Sequence, residues 1–445
     1  MTSRRVVLLG LLILTVLALT SNLNSKQITA PSVQPSTAPY QFAPRTEAVK
    51  PKVTQVSPVA HISHVVVKFK DNASVRLTAA GLISKQKISI ATASNALAPY
   101  AATQLRPLFN QQTVEQNDRQ REVFEYKTGR YLADLNSYYR VEVTSPAEAE
   151  ALVNQLNADS SVEIAFVSPS PEPAGQVQPQ PATTPNYQPY QDYREVAPGG
   201  VDADYANSLL GGDGTGIKIC DVEGAWQTAH EDLAKSVGGL IAGTMINDIS
   251  WRNHGTSVLG EMIATNNGFG VTGICPGANI GMVSIGTMSA AEAIMIAVAN
   301  LTPGDLILVE LHAPGPHYNF ESRTDQLGYV CMEYWQDNFD AIQYAWAKGI
   351  TVIEAAGNGA ENFDDTTIYA HLFDTTYRNS HAILAGAGYQ AASASDRQRL
   401  SFSNYGRRVN LQGYGRGVYS CGYGDLYGTS ETNYYTASFS GTSSA

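Results

Sequence analysis

The sequence predicts an α/β protein with a mainly parallel central sheet, preceded by a small α+β domain. Two observations predict the larger part. Beyond Gly211, short apolar runs recur at 217–222, 280–285, 306–311, 350–354 and 383–387. Helical stretches separate them, at 290–301 and at 332–348, the latter closed by Gly349. Near-continuous apolar strands alternating with helices argue for a sheet covered on both faces. A third observation predicts the smaller part: His64-Val-Val-Val-Lys-Phe69 begins a segment that ends strand, helix, strand at 139–143, 145–156 and 162–167. Ser145 is placed to cap that helix, Pro146 fits its first position, and acidic residues occupy its first turn.

Residues 1–21 open with Arg4-Arg5 and an apolar run from Val6 to Leu19, the layout of a secretory signal peptide. The run is shorter than the about 20 residues a spanning helix needs. The chain is therefore expected to be secreted, extracellular or periplasmic, with no stable membrane anchor. Residues 22–60, rich in Ser, Thr, Pro and Gln, read as a disordered spacer. The α+β domain follows at 61–169, and a Pro- and Gln-rich linker suited to cutting at 170–193. The α/β domain takes 194–445.

A net charge of −11 over 445 residues, with no dense basic cluster, argues against a nucleic-acid partner. Cys220, Cys275, Cys331 and Cys421 all fall in the α/β part, where export permits disulfides. Three pairings are open, and a free packed thiol at Cys220 is equally compatible. His312, His317, His371 and His381 lack zinc-ligand spacing, and Asn362-Phe-Asp364-Asp365 lacks the spacing of a calcium loop. No cofactor is expected.

Four short segments carry chemistry: Cys220-Asp221-Val-Glu223-Gly, Asn253-His254-Gly-Thr256-Ser-Val258, Ala355-Ala356-Gly357-Asn358-Gly, and Ser440-Gly-Thr-Ser443-Ser-Ala445. A serine hydroxyl is a weak nucleophile until an imidazole takes its proton. A carboxylate on the far ring nitrogen fixes the tautomer, and a side-chain amide stabilises the charge that develops on the attacked oxygen. Each residue alone also has a structural explanation as a cap, packed ring or loop former. Four in order make that explanation weak.

Their order and flanks resemble the subtilisin-like serine peptidases, over about residues 195–445. The resemblance implies a three-layer α/β fold and Asp221, His254 and Ser443 as catalytic residues. It also implies Asn358 as oxyanion donor, and a substrate strand laid along Glu310-Leu311-His312 and Ala355-Ala356-Gly357. Proteins or peptides would be the substrates. Glu223 would act in the related sedolisins, which replace the histidine; with His254 present it reads as a loop residue at the cleft rim. His230, in Ala229-His-Glu-Asp-Leu233, reads as structural. Residues 61–169 resemble the inhibitory propeptides of such precursors, which implies a zymogen partnered by its own propeptide. Glu310 and His312 depart from the family's small residues, implying a narrowed or charged cleft wall with selectivity for basic or small residues. The chain stops two residues past Ser443, where the family continues into a buried helix, so residues 1–445 are expected to be a fragment of reduced stability and activity. The alternative function is a catalytically silent relative that binds without turnover.

Overall fold

The computed structural model describes residues 42–100, 103–170, 184–391 and 397–445. The expected signal peptide, residues 22–41 of the spacer and 171–183 of the linker lie outside these; residues 42–60, expected to be disordered, instead pack on the small domain, with Val56 and Ala60 in its core and Arg45 paired with Glu163.

The N-terminal sheet comprises β1 (Ile62–Phe69), β2 (Leu105–Pro107), β3 (Tyr138–Val141) and β4 (Val162–Pro169) in the order β2-β3-β1-β4, each pair antiparallel. One of its helices, α1 (Val114–Thr128), starts at a capping box between Thr113 and Gln116. Another, α2 (Pro146–Asn157), starts where Ser145 accepts the backbone N–H of Glu148 at 3.2 Å, the start its sequence specifies.

Seven parallel strands form the large sheet: β5 (Lys218–Glu223), β6 (Leu240–Ala242), β7 (Asn279–Ser284), β8 (Leu306–Val309), β9 (Thr351–Ala355), β10 (Ile383–Gly388) and β11 (Leu411–Tyr414). Their order is β11-β10-β9-β8-β5-β7-β6. The five expected strands form its centre. The edge strands β6 and β11 are short and mostly half-buried or exposed, so no apolar run marked them.

The longer helices of this part are α3 (Ile249–Ile263), α4 (Ala290–Asn300) and α5 (Gln336–Lys348). α5 ends at Gly349, whose φ of 93° is the left-handed cap that a glycine meets without Cβ strain. The N-terminal sheet lies on α4 and α5 and shares their core. Val66, Leu108, Phe109 and Tyr138 are buried in one cluster with Ala291, Ile294 and Ile342. Polar contacts reinforce it: Tyr344 Oη donates to the Ala133 carbonyl at 2.8 Å, and Arg106 and Arg140 reach Glu292 at 3.5 and 3.3 Å.

All four cysteines are free thiols. Among the described residues, no helix is long and apolar enough to cross a membrane, and no His, Cys, Asp and Glu cluster could hold a metal.

Candidate active site

In an open parallel sheet, functional groups gather where strands end. Glu223 closes β5, Glu310 and Leu311 follow β8, and Ala355 closes β9 with Asn358 three residues on. His254 comes from α3, which opens where Asp248 accepts the Ser250 N–H at 2.8 Å. That helix is buried on almost every face, and Gly255 and Gly260 give it room. A Cβ on either would stand 2.4 Å from the Ala225 carbonyl or 2.3 Å from Ser420 Oγ. Ser443 lies in a single 3₁₀ turn after the strand Tyr435–Phe439. Gly441 enters this turn at φ 117°, a conformation that L side chains rarely adopt.

One small pocket is lined by His254, Glu310, Leu311, His312, Ala355, Asn358, Thr442 and Ser443. Seven residues expected from the sequence thus meet there, with Leu311 and Ala355 among them. Ala356 and Gly357 lie beside it: Gly357 N–H donates to Thr442 Oγ1 at 3.0 Å, and Asn404 holds the Ala356 carbonyl at 2.8 Å.

Asp221 is not in direct contact with His254. The ring's Nδ1 instead makes a 2.5 Å hydrogen bond with Glu223 Oε1, and Asp221 accepts the Trp226 indole N–H at 2.7 Å. Glu223 is fully buried, which also corrects its reading as a rim residue. The reason is strand geometry. Residues 221 and 223 point to the same face of β5. Trp226 engages the shorter acid, and the longer one reaches the ring. His254 Nε2 has no hydrogen-bond partner among the described residues, and the Ser443 side chain lies close enough to Glu310 to oppose the rise of its carboxyl pKa.

Asn358 is fixed on two sides. Its Oδ1 accepts from Thr442 N–H at 2.9 Å and Thr442 Oγ1 at 3.0 Å, and its own N–H donates to His312 Nδ1 at 3.2 Å. This leaves Nδ2 with one long contact, 3.4 Å from Gln326 Oε1. An amide held by its oxygen presents its N–H groups to whatever enters the pocket.

Burial dominates the electrostatics. It pushes the carboxyls of Asp221, Glu223, Glu310 and Glu261 well above the ordinary range, and neighbouring acids add to this for all but Glu223. The same desolvation lowers His254 to about 4 and His312 to about 3. Both rings are neutral at neutral pH. His230 is lowered to about 4; its Nδ1 accepts the Asp232 N–H and its Nε2 meets the Tyr434 carbonyl, a structural arrangement.

Two buried acids outside the pocket extend this pattern, Asp337 raised to about 7 and Glu354 to about 8. Groups whose folded pKa is raised hold protons that the unfolded chain releases near about 4. The native state therefore binds more protons between those values, and stability falls as pH rises through that window. Buried neutral histidines oppose this only below about 6.5, where the unfolded chain protonates. The melting temperature is accordingly expected to fall between pH 6.5 and 8 in calorimetry; a rise would contradict these protonation states.

A serine hydroxyl, a neutral imidazole backed by a carboxyl, and a fixed amide on a parallel α/β sheet are the component types of a serine hydrolase site. The model of the subtilase family, peptidase family S8, matches residues 214–445, and the chain belongs to that family of serine-type peptidases. Similar solved structures include a cold-adapted subtilisin-like serine proteinase, with 20% identity over 52% of this chain and 72% of that one and a TM-score of 0.33. The epidermin leader peptide processing protease of Staphylococcus aureus shows 14% identity over 86% and 85%, with a TM-score of 0.45. Fervidolysin from Fervidobacterium pennivorans, a keratinolytic enzyme, shows 14% over 89% and 56%, with a TM-score of 0.43. No curated protein sequence matches the chain.

Proposed function

We propose that the chain is a secreted endopeptidase made as a zymogen, in which Ser443 is the nucleophile, His254 the base and Asn358 the oxyanion donor. The observation that carries this is the single pocket holding all three side chains. Glu223 is the carboxylate that orients the ring, with Asp221 behind it. When ionised Glu223 accepts the Nδ1 proton, the Nε2 lone pair is free to take the hydroxyl proton of Ser443. As Ser443 Oγ attacks a peptide carbonyl, the imidazolium that forms lies against Glu223. The negative charge moves to the carbonyl oxygen, where Asn358 Nδ2 can donate to it. The proton on Nε2 then passes to the leaving amine, and water repeats the sequence to release the acyl group.

The zymogen reading is supported by the core that the N-terminal sheet shares with α4 and α5. The apolar run at 6–19 supports export. Basic or small side chains are the expected substrates of a pocket walled by Glu310 and His312.

A fluorophosphonate probe tests the reading. Covalent labelling of the full chain is expected, with none after Ser443→Ala and strong slowing after His254→Ala. A properly folded wild-type protein that takes no label at any pH between 5 and 9 would favour the silent binding relative instead.

A further inference from the structure

The loop that carries Asn358 is fastened to a hairpin that reaches into the N-terminal domain. His312–Pro314 pairs antiparallel with Tyr329–Cys331, and residues 315–328 close the turn between them. The base of the hairpin is fixed to residues 356–361. The Gly328 N–H donates to the Gly359 carbonyl at 3.0 Å, Asn404 Nδ2 donates to the Tyr329 and Ala356 carbonyls at 2.8 Å each, and His317 Nδ1 meets Glu361 Oε1 at 2.8 Å. A Cβ on Gly359 would stand 2.1 Å from the Tyr329 carbonyl oxygen, so the two segments touch backbone to backbone. The tip is held elsewhere. Phe320 is 8% exposed and lies in the core of the N-terminal domain with Val56, Ala60 and Val65, and the Asn319 carbonyl accepts the Ser57 N–H at 3.0 Å. Phe320 and Gln326 both take left-handed φ, 61° and 57°, which such side chains keep only where their surroundings impose it. For Phe320 that surrounding is the N-terminal core. Gln326 places Oε1 3.4 Å from Asn358 Nδ2, a neutral stand-in for the oxygen that this amide would stabilise.

We propose that Phe320 and Gln326 are the two ends of a restraint on the oxyanion amide: with Phe320 seated in the N-terminal core, Gln326 Oε1 engages Asn358 Nδ2, and withdrawal of Phe320 frees the amide. This rests on the peptidase reading above, with Asn358 as oxyanion donor. Unseating Phe320 removes the burial that offsets its left-handed conformation, so the loop relaxes, and Gln326, six residues on, moves with it. A charged oxygen outcompetes a neutral amide carbonyl for the same N–H. Gln326 therefore slows attack and does not abolish it. It acts through Asn358 and is a positioning residue.

The rate at which a fluorophosphonate labels Ser443 in the full chain provides the test. Gln326→Ala is expected to label about fivefold faster than wild type, the worth of one net hydrogen bond. Gln326→Glu at pH 8 is expected to label about tenfold slower, because an ionised carboxylate holds the amide harder and repels the developing oxyanion. A loop that only supports the fold would slow both. Phe320→Ala is expected to match Gln326→Ala, and the double variant to label no faster than either, since both substitutions undo one restraint. Should Phe320→Ala unfold the N-terminal domain, the opposite signs of the two Gln326 variants still decide. Labelling of Gln326→Ala at or below the wild-type rate overturns the proposal and leaves the peptidase reading standing, as does a double variant whose rate is the product of the two single effects. Absence of Ser443-dependent labelling in wild type and every variant overturns both.

Discussion

Glu223→Gln is expected to lower kcat by about 10⁴-fold, the scale seen when the orienting carboxylate of such a triad becomes an amide. The carboxylate oxygen 2.5 Å from His254 Nδ1 is the group at stake. An amide can turn its NH₂ to that nitrogen. Nδ1 would then be an acceptor, the ring proton would shift to Nε2, and the base would lose its lone pair. Asp221→Asn should cost far less. Its contact with Trp226 needs only an acceptor oxygen, which an amide retains. Single-turnover acylation of the two variants separates the roles: a large loss at Asp221 with a mild one at Glu223 would restore the arrangement expected from the sequence.

The second large effect concerns stability. Arg408 and Glu333, each about 2% exposed, form a two-pronged ion pair at 2.6 and 2.5 Å. Ser380 Oγ donates to the same carboxylate, and the Glu333 N–H donates to Glu354 at 3.1 Å, one residue before Ala355. Removing one member of a buried pair strands the other charge, at about 3–5 kcal/mol. Arg408→Ala should therefore lower Tm by of order 10 °C in a domain of this size. A double variant, Arg408→Met with Glu333→Leu, should recover much of that loss, because apolar replacement of both partners removes the stranded charge. Equal melting of the single variant and the wild type would show that water reaches the pair.

The centre of the fold was legible because β5, β7, β8, β9 and β10 are apolar runs bounded by turns, and because α2 and α5 carry their own start or stop residues. Helix α3 was not. Its stretch Asn253-His-Gly-Thr-Ser-Val258 combines residues with poor helix propensity, and burial on nearly all faces erases the periodicity that reveals a surface helix. Tertiary packing sets its conformation. Helix α1 was missed for the opposite reason, being so polar that no apolar stripe stands out. Within the site, motif spacing marked Asp221, His254, Asn358 and Ser443 but could not say which acid touches the ring. That depends on one methylene and on an indole five residues away. Glu310 read as cleft wall, and its place beside Asp221 and Glu223 follows from the strand order, which brings β8 next to β5.

The two nitrogens of His312 differ, one bracing the backbone of Asn358 and the other buried in the pocket without a hydrogen-bond partner among the described residues. An engineer who exchanges this ring to broaden what the enzyme accepts should expect sluggish turnover in the same stroke, and would need a compensating change near Thr442 to separate the two.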